Sequence, residues 1–187
     1  MRSAAEIIET ARRMLALDLV TGTFGNVSCR SERGLLITPS GLDYAVMRPE
    51  DLVLLSPRGH RIEGERAPSS EFRLHVVIYR KLHNVRAIVH THSRCAVGFA
   101  VGADSLRTSE SDVLAGPIPV APFRPAGTQA LADGAADLLV ATDANAVILR
   151  NHGVVGLGRN LSEALRVCVE VEEAAAGALP SSECGYA

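Results

Sequence analysis

Residues 87–93 read Ala87-Ile88-Val89-His90-Thr91-His92-Ser93, an apolar run that ends in two histidines separated by one residue. The run is typical of a strand end, and side chains two apart on a strand point to the same face of the sheet. His90 and His92 can therefore bind one metal ion together. A second apolar run, Ala146-Val147-Ile148-Leu149, leads directly into Arg150-Asn151-His152-Gly153, so His152 lies at another predicted strand end.

Three histidines with one open coordination position are the usual ligand set of a catalytic zinc, whereas structural zinc sites more often use cysteines. Neutral imidazole also suits cobalt, iron or manganese. The alternative is that each histidine is simply packed or solvated, but the His-x-His spacing followed by a third strand-end histidine favours a shared metal site. The remaining histidines lack such spacing and are interpreted as structural or exposed: His60, His75 and His83.

The composition predicts one globular domain over residues 1–187. The net charge is -2 and no basic stripe is present, so no nucleic acid is expected as a partner. The apolar runs are too short to span a membrane, and the acidic N-terminus does not resemble a secretory signal. The cysteines have no C-x-x-C spacing, which favours reduced thiols and a cytoplasmic location, with Cys95 as a buried thiol rather than a ligand.

Predicted helices and strands alternate along the chain. Helices are expected over residues 3–20, opened by a capping box at Ser3 and Glu6, over 70–82, shortly after 92, over 127–141, and from an Asn160 cap to 178. Strands are expected at 27–30, 34–38, 52–56, 87–92, 118–121, 145–149 and 154–157. Because the strands are short and several are joined by tight turns, we predict an α/β fold, a three-layer α/β/α domain with a central mixed, largely antiparallel sheet.

Three turns carry small residues, hydroxyls and backbone amides that can approach a phosphate: Gly25-Asn26-Val27-Ser28, Thr38-Pro39-Ser40-Gly41 and Pro68-Ser69-Ser70-Glu71. The last of them begins a predicted helix, where unpaired N–H groups and the helix dipole favour an anion. Each turn alone is an ordinary turn or helix cap. Their occurrence together in a chain that also carries the three-histidine set favours a function beyond turn formation.

In this order, the motifs G-N-V-S, T-P-S-G, P-S-S-E, H-T-H-S and N-H-G resemble the class II aldolase/adducin family, and most of all its L-fuculose-phosphate aldolase branch. The resemblance spans residues 25–153. It implies that His90, His92 and His152 bind zinc, and that Glu71 is the catalytic acid/base and ligates the metal when no substrate is present. It further implies that the phosphate of dihydroxyacetone phosphate is held by Asn26, Ser40, Gly41, Ser69 and Ser70.

The implied activity is that of a zinc-dependent aldolase, which reversibly cleaves a ketose 1-phosphate, such as L-fuculose 1-phosphate, to dihydroxyacetone phosphate and an aldehyde. Zinc would stabilise the enediolate as a Lewis acid. Glu71 would move the proton, for which its pKa must rise toward neutrality after displacement from zinc into a dry pocket. The resemblance also implies a homotetramer with its sites between neighbouring subunits.

The chain departs from this branch in its tyrosines. Relatives use tyrosines to orient the aldehyde and protonate its oxygen, one from a stretch that matches residues 107–115, where this chain has none. Tyr186 near the C-terminus is expected to lie in a frayed tail. This departure leaves open a decarboxylase, dehydratase or epimerase of a phosphorylated sugar or sugar acid, although the epimerases tend to carry Asp where Glu71 stands. A non-catalytic module like the adducin head is a third possibility. Such a module would be expected to lack the metal-binding histidines, and this chain keeps all three.

Overall fold

A mixed sheet of nine strands runs through residues 2–107 and 111–180, the part of the chain that the structure, a computed structural model, describes. The strand order is β4-β3-β2-β1-β5-β9-β8-β7-β6, and every neighbouring pair is antiparallel except β7 and β8. The strands are β1 (Asn26–Ser31), β2 (Gly34–Ile37), β3 (Val53–Leu55), β4 (Arg61–Glu63), β5 (Ala87–Thr91), β6 (Ser105–Leu106), β7 (Ile118–Ala121), β8 (Ala146–Leu149) and β9 (Gly153–Gly158).

Five helices in the described residues cover the two faces of this sheet. They are α1 (Arg2–Ala16), α2 (Phe72–Lys81), α3 (Arg94–Phe99), α4 (Gln129–Thr142) and α5 (Leu161–Ala178). One hydrophobic core joins α1, α3 and α5 to the sheet, and a second joins α2 and α4 to it. Successive strand residues alternate between the two cores, so Ile88 packs under α2 and α4 whereas Val89 packs under α5. The predicted three-layer fold with a largely antiparallel sheet is confirmed.

Local boundaries differ from the predictions where tertiary contacts intervene. Helix α1 ends at Ala16 instead of residue 20, because Asp18 adopts a left-handed φ of 54° and the Leu19 N–H turns back to the Met14 carbonyl. The capping box at Ser3 is wrong, since the helix already includes Arg2. The cap of α5 is confirmed: Asn160 Oδ1 accepts the Glu163 N–H at 2.9 Å.

Strands β4 and β6 and the disulfide bond of Cys95 differ from the predictions. Strands β4 and β6 have three and two residues, which is too short for a recognisable alternation. Cys29 and Cys168 are free and buried, as expected, but Cys95 is disulfide-bonded, which corrects its interpretation as a free thiol. Cys184, Tyr186 and residues 108–110 of the polar segment lie outside the described residues.

None of the helices in the described ranges combines the length and the apolar character that a membrane crossing requires.

The sheet positions the predicted site by bringing three chain segments together at one end. Strand β1 begins opposite the end of β5, where Asn26 pairs with His90, and β9 begins beside the same strand end, where Val154 pairs with Thr91. Segments that are far apart in sequence thus meet where the central strands β1, β5 and β9 begin or end.

Candidate metal centre

The three histidines singled out in the sequence converge at this end of the sheet. His90 lies in β5, His92 follows it, and His152 lies in the turn between β8 and β9. Their ring centroids are 4.9–5.1 Å apart, which places the three imidazoles at the corners of a nearly regular triangle. The turn that carries His152 is formed by its own N–H, which donates to the Leu149 carbonyl, and by Asn151 in a left-handed conformation.

Gly153 allows β9 to approach β5 at this point. A Cβ atom at position 153 would lie 2.0 Å from the Thr91 carbonyl oxygen and 3.1 Å from His90 Cε1. Real side chains do not tolerate such contacts, so any larger residue must push the His152 turn away from His90. The N-H-G motif therefore supplies a candidate metal ligand, His152, and a glycine, Gly153, that allows β9 to approach β5.

Gly153→Ala should lower the free energy of unfolding by roughly 1–3 kcal/mol, the usual range for overpacking a close contact, and should weaken metal binding. The matched control is Gly134→Ala in α4, where a Cβ would meet nothing within 4 Å. That variant should instead gain roughly 0.5–1 kcal/mol, because alanine favours a helix. Urea unfolding of the two variants measures both effects, and equal stabilities would contradict this explanation of Gly153.

Glu71 brings a carboxylate to the three imidazoles from the start of α2. Its side chain is buried, with Oε2 3.0 Å from His90 Nε2 and Oε1 3.1 Å from His152 Nε2. One ligand atom from each of Glu71, His90, His92 and His152 lies within 4.8 Å of all the others. The residues that the sequence singled out for metal binding and proton transfer are therefore brought together.

The donor atoms of this cluster fit a divalent cation. Four of its buried atoms make no hydrogen bond, although some lie close to one another: Glu71 Oε1, His90 Nε2, His92 Nε2 and His152 Nδ1. Buried polar atoms rarely lack a partner unless an ion or water supplies one. His90 Nδ1 lies 2.9 Å from the Val154 carbonyl, which can only accept, so Nδ1 donates, and a neutral His90 would present its Nε2 lone pair to a metal. Three imidazoles and one carboxylate suit zinc or a similar transition metal.

The charges in the cluster shape its protonation. Burial, together with the neighbouring His90 and His152, lowers the pKa of His92 to about 3, so this imidazole is neutral and able to coordinate. Burial raises the pKa of Glu71, but His90 and His152 outweigh it and hold that pKa well below its usual range. The rise in the Glu71 pKa that proton transfer requires is thus absent while the carboxylate faces both imidazoles. Movement of the Glu71 carboxylate away from the two imidazoles would remove this lowering of its pKa.

Two of the predicted phosphate-binding turns lie side by side next to Glu71. Pro39 and Pro68 form an isolated β-bridge, with the Ser40 N–H bonded to the Ala67 carbonyl and the Ser69 N–H bonded to the Thr38 carbonyl, both at 3.0 Å. Ser69 is buried and its Oγ accepts the Glu71 N–H. Ser40, Gly41 and Ser70 are exposed. Since α2 begins at Phe72, both serines precede the helix instead of forming its first turn.

Asn26 has a different environment from the other predicted phosphate contacts. Its side chain is buried, Nδ2 donates to Glu71 Oε2 at 3.2 Å, and Oδ1 accepts from His75 Nε2. The sequence predicts His75 to be structural or exposed, and the structural alternative is correct: His75 is fully buried, and its hydrogen bond to Asn26 links it to the site. The spacing could have revealed it, since Glu71 and His75 are four residues apart and α2 places such pairs on one face.

Phe24 forms an apolar wall on the accessible side of the cluster. Its ring stacks on His92 with centroids 5.4 Å apart, and 60% of the residue is exposed. Tyr44 holds this turn by donating to the Gly25 carbonyl at 2.6 Å. Tyr44 and Tyr79 are both buried and hydrogen-bonded within the fold, so neither of these two described tyrosines is free to approach a substrate.

Comparison with known proteins identifies the family. The sequence model of the Class II Aldolase and Adducin N-terminal domain matches residues 5–179. The chain belongs to this family. The resemblance seen in the five motifs is thereby confirmed over nearly the whole chain.

Relatives of this class II aldolase family member are themselves named aldolases. The chain is 41% identical over 171 residues to the 5-deoxy-D-ribulose 1-phosphate aldolase of Bacillus thuringiensis serovar kurstaki, covering 89% of this chain and 79% of that protein. It is 38% identical to the 5-methylthioribulose-1-phosphate/5-deoxyribulose-1-phosphate aldolase of Rhodospirillum rubrum, covering 90% and 76%. A solved L-fuculose 1-phosphate aldolase superimposes with a TM-score of 0.89 at 32% identity, covering 98% of this chain and 88% of that one. The chain is accordingly a lyase of the class II aldolase type.

Proposed function

We propose that this protein is a zinc-dependent aldolase that reversibly cleaves a ketose 1-phosphate to dihydroxyacetone phosphate and an aldehyde. The observation that carries the proposal is the cluster of His90, His92, His152 and Glu71, in which one ligand atom of each residue lies within 4.8 Å of the others. Buried atoms of three of these residues, Glu71 Oε1, His90 Nε2 and His92 Nε2, have no hydrogen-bond partner in the described residues. A metal bound there would act as a Lewis acid and stabilise negative charge on the substrate oxygens.

Glu71 has the position required of the acid/base. In the cleavage direction, Glu71 takes the proton of the C4 hydroxyl as the bond between C3 and C4 breaks and the aldehyde forms, and it then returns that proton to C3 of the resulting enediolate. In the reverse direction, the same carboxylate removes a proton from the hydroxymethyl carbon of dihydroxyacetone phosphate. Because the side chain of Glu71 is only 8% exposed, water is largely excluded from it, which favours the raised pKa of an efficient base once the carboxylate leaves the two imidazoles.

The two bridged turns provide the site for the phosphate. Ser40, Gly41 and Ser70 are exposed next to Glu71, and Gly41 adopts a left-handed φ of 67° that leaves its backbone open to a ligand. Ser69 and Asn26, the other two predicted phosphate contacts, are buried. Phosphate binding at a distance from the reacting carbon would orient that carbon toward Glu71.

For the aldehyde portion, we propose an apolar end, as in 5-deoxyribulose 1-phosphate. Two of the relatives described above are named for 5-deoxyribulose 1-phosphate. The exposed ring of Phe24 beside His92 offers the apolar contact that a terminal methyl group would need. Fuculose 1-phosphate, which ends in a methyl group on a longer chain, is the second substrate to test.

The direct test is an assay for dihydroxyacetone phosphate with purified protein loaded with zinc. It should be released from 5-deoxyribulose 1-phosphate with a higher kcat/KM than from fuculose 1-phosphate, and a chelator should abolish its release. If neither ketose phosphate is cleaved but a phosphorylated keto-acid loses carbon dioxide, the protein is a decarboxylase on the same fold and the aldolase proposal is wrong.

Phe24→Ala should reduce the preference for an apolar aldehyde. We expect the ratio of kcat/KM for 5-deoxyribulose 1-phosphate over ribulose 1-phosphate to fall about tenfold, the range for one lost apolar contact. Val140→Ala, which truncates an exposed apolar side chain on α4, should leave the ratio unchanged. An unaltered ratio in Phe24→Ala would remove Phe24 from the aldehyde site.

Two further properties complete the proposal. We propose a homotetramer with sites between subunits, on the family resemblance; light scattering should give about four times the 19.8 kDa chain mass. We also place the enzyme in the cytoplasm, a prediction supported by the free thiols Cys29 and Cys168 and opposed by the disulfide at Cys95. We also propose that residues 1–187 form one domain.

A further inference from the structure

A line of buried polar side chains leads from Glu71 into the interface between β1 and α2. Its members are Asn26, Ser28, His75 and Tyr79, each at most 4% exposed. They lie in the middle of a core that is otherwise apolar, and the contacts proposed for the metal and the phosphate include none of His75, Ser28 and Tyr79. Buried polar groups of this kind are costly unless every one of them is satisfied.

The hydrogen bonds along this line have only one consistent direction. The Glu71 carboxylate can only accept, so Asn26 presents its NH2 to Oε2 at 3.2 Å and turns Oδ1 toward His75. His75 Nε2 must then carry the proton and donate it. His75 Nδ1 in turn accepts from Ser28 Oγ at 2.6 Å.

Tyr79 completes the series at its far end. Its hydroxyl lies 3.0 Å from Ser28 Oγ and 3.1 Å from the Ser28 carbonyl, so it donates to this residue without competing for the Ser28 proton. Burial lowers the pKa of His75 to about 3, which keeps the ring neutral as this pattern requires. From Ser28 onward, every donor in the line therefore points toward Glu71.

We propose that His75 is a positioning residue that acts on the catalytic base through Asn26. Its Nε2–H fixes the Asn26 amide in the one orientation in which Nδ2 donates to Glu71. If the amide turned over, Oδ1 would face the carboxylate and two acceptors would meet in a buried site. The inference rests on the proposed function in one respect, namely that Glu71 is the base.

The expected consequence is kinetic. A carboxylate held by Asn26 keeps one orientation when it leaves the imidazoles and accepts a proton, whereas a released carboxylate samples unproductive positions. Loss of His75 should therefore lower kcat and leave the phosphate contacts, and with them KM, nearly unchanged.

The kinetic test compares two variants of similar size. His75→Met cannot donate and should lower kcat about 100-fold with KM within threefold of the wild type, whereas His75→Gln, whose amide can donate to Asn26, should recover kcat to within about tenfold. Metal content and melting temperature are measured on both. Thr10→Val, which removes a partly buried hydrogen bond in α1 on the other face of the sheet, should leave kcat unchanged.

A double-mutant cycle tests whether His75 acts through Asn26. In an Asn26→Ala background, His75→Met should have no further effect on kcat. Two effects that multiply would show that His75 acts independently of Asn26. Equal losses of kcat in His75→Met and His75→Gln would likewise overturn the proposal, because hydrogen-bond donation would then be irrelevant.

A measurement that needs no activity separates this inference from the proposed function. In protein labelled with ¹⁵N-histidine, the NMR signals that disappear in His75→Gln should show a neutral ring protonated at Nε2. A ring protonated at Nδ1 would overturn the hydrogen-bond pattern whatever the enzyme does. If the pattern is correct but the wild type neither cleaves ketose phosphates nor exchanges protons of dihydroxyacetone phosphate, the proposed function fails and the catalytic role of His75 fails with it.

Discussion

Glu71→Gln is expected to keep its metal and lose proton transfer. The glutamine retains a side-chain oxygen, and the three imidazoles remain, so zinc should still bind. The variant has no carboxylate to accept a proton, however, and deuterium exchange into dihydroxyacetone phosphate should fall by about 10²–10⁴-fold, the usual contribution of a positioned acid/base. NMR of the hydroxymethyl protons in heavy water measures the rate directly.

Glu172→Gln is the matched control for this experiment. Glu172 is buried to a similar degree as Glu71, but its two oxygens accept the N–H groups of Cys95 and Ala96 at the start of α3. Its substitution should lower thermal stability and leave exchange within about threefold of the wild type, since it does not contact the cluster. Exchange that persists in Glu71→Gln would exclude Glu71 as the base.

His92→Ala should lose zinc and activity together. Two imidazoles and Glu71 would remain, and removal of one of three nitrogen ligands should lower zinc affinity by several orders of magnitude. After dialysis against buffer without metal, we expect about one zinc per chain in the wild type and only a small fraction of that in the variant. Atomic absorption on the dialysed proteins measures both values.

Thermal unfolding gives an independent measure of the same loss. Because a ligand that binds only the folded chain stabilises it, added zinc should raise the melting temperature of the wild type but not that of His92→Ala. His83→Ala, at an exposed histidine after α2, should behave like the wild type in both measurements. Full zinc occupancy in His92→Ala would remove His92 from the ligand set.

The metal cluster was predictable to the extent that it depends on strand periodicity. His90 and His92 share a face because side chains alternate along a strand, and His152 follows another strand whose apolar run was recognisable. The assignment of Glu71 to the same centre came only from the family resemblance. Its approach to His90 depends on how α2 packs across the sheet, and local spacing carries no information on that packing.

The contacts that were missed are those between distant segments. Histidine spacing predicts no partner for His75, whereas its hydrogen-bond partners are Asn26 and Ser28 on β1, 49 and 47 residues earlier in the chain. The adjacency of the two serine-containing turns depends on the bridge between Pro39 and Pro68, which neither turn predicts alone. The early end of α1 has a similar origin, since the Leu19 carbonyl accepts the His92 N–H and the chain must leave the helix to reach it.

Deuterium exchange into dihydroxyacetone phosphate is the measurement that tests the account most directly. It requires no knowledge of the aldehyde, because the half-reaction involves only the phosphate turns, the metal and Glu71. The zinc-loaded protein in heavy water should exchange one hydroxymethyl proton stereospecifically, and a chelator should abolish the exchange. A folded, zinc-bound protein that leaves both protons in place would contradict the assignment of this cluster as an aldolase site.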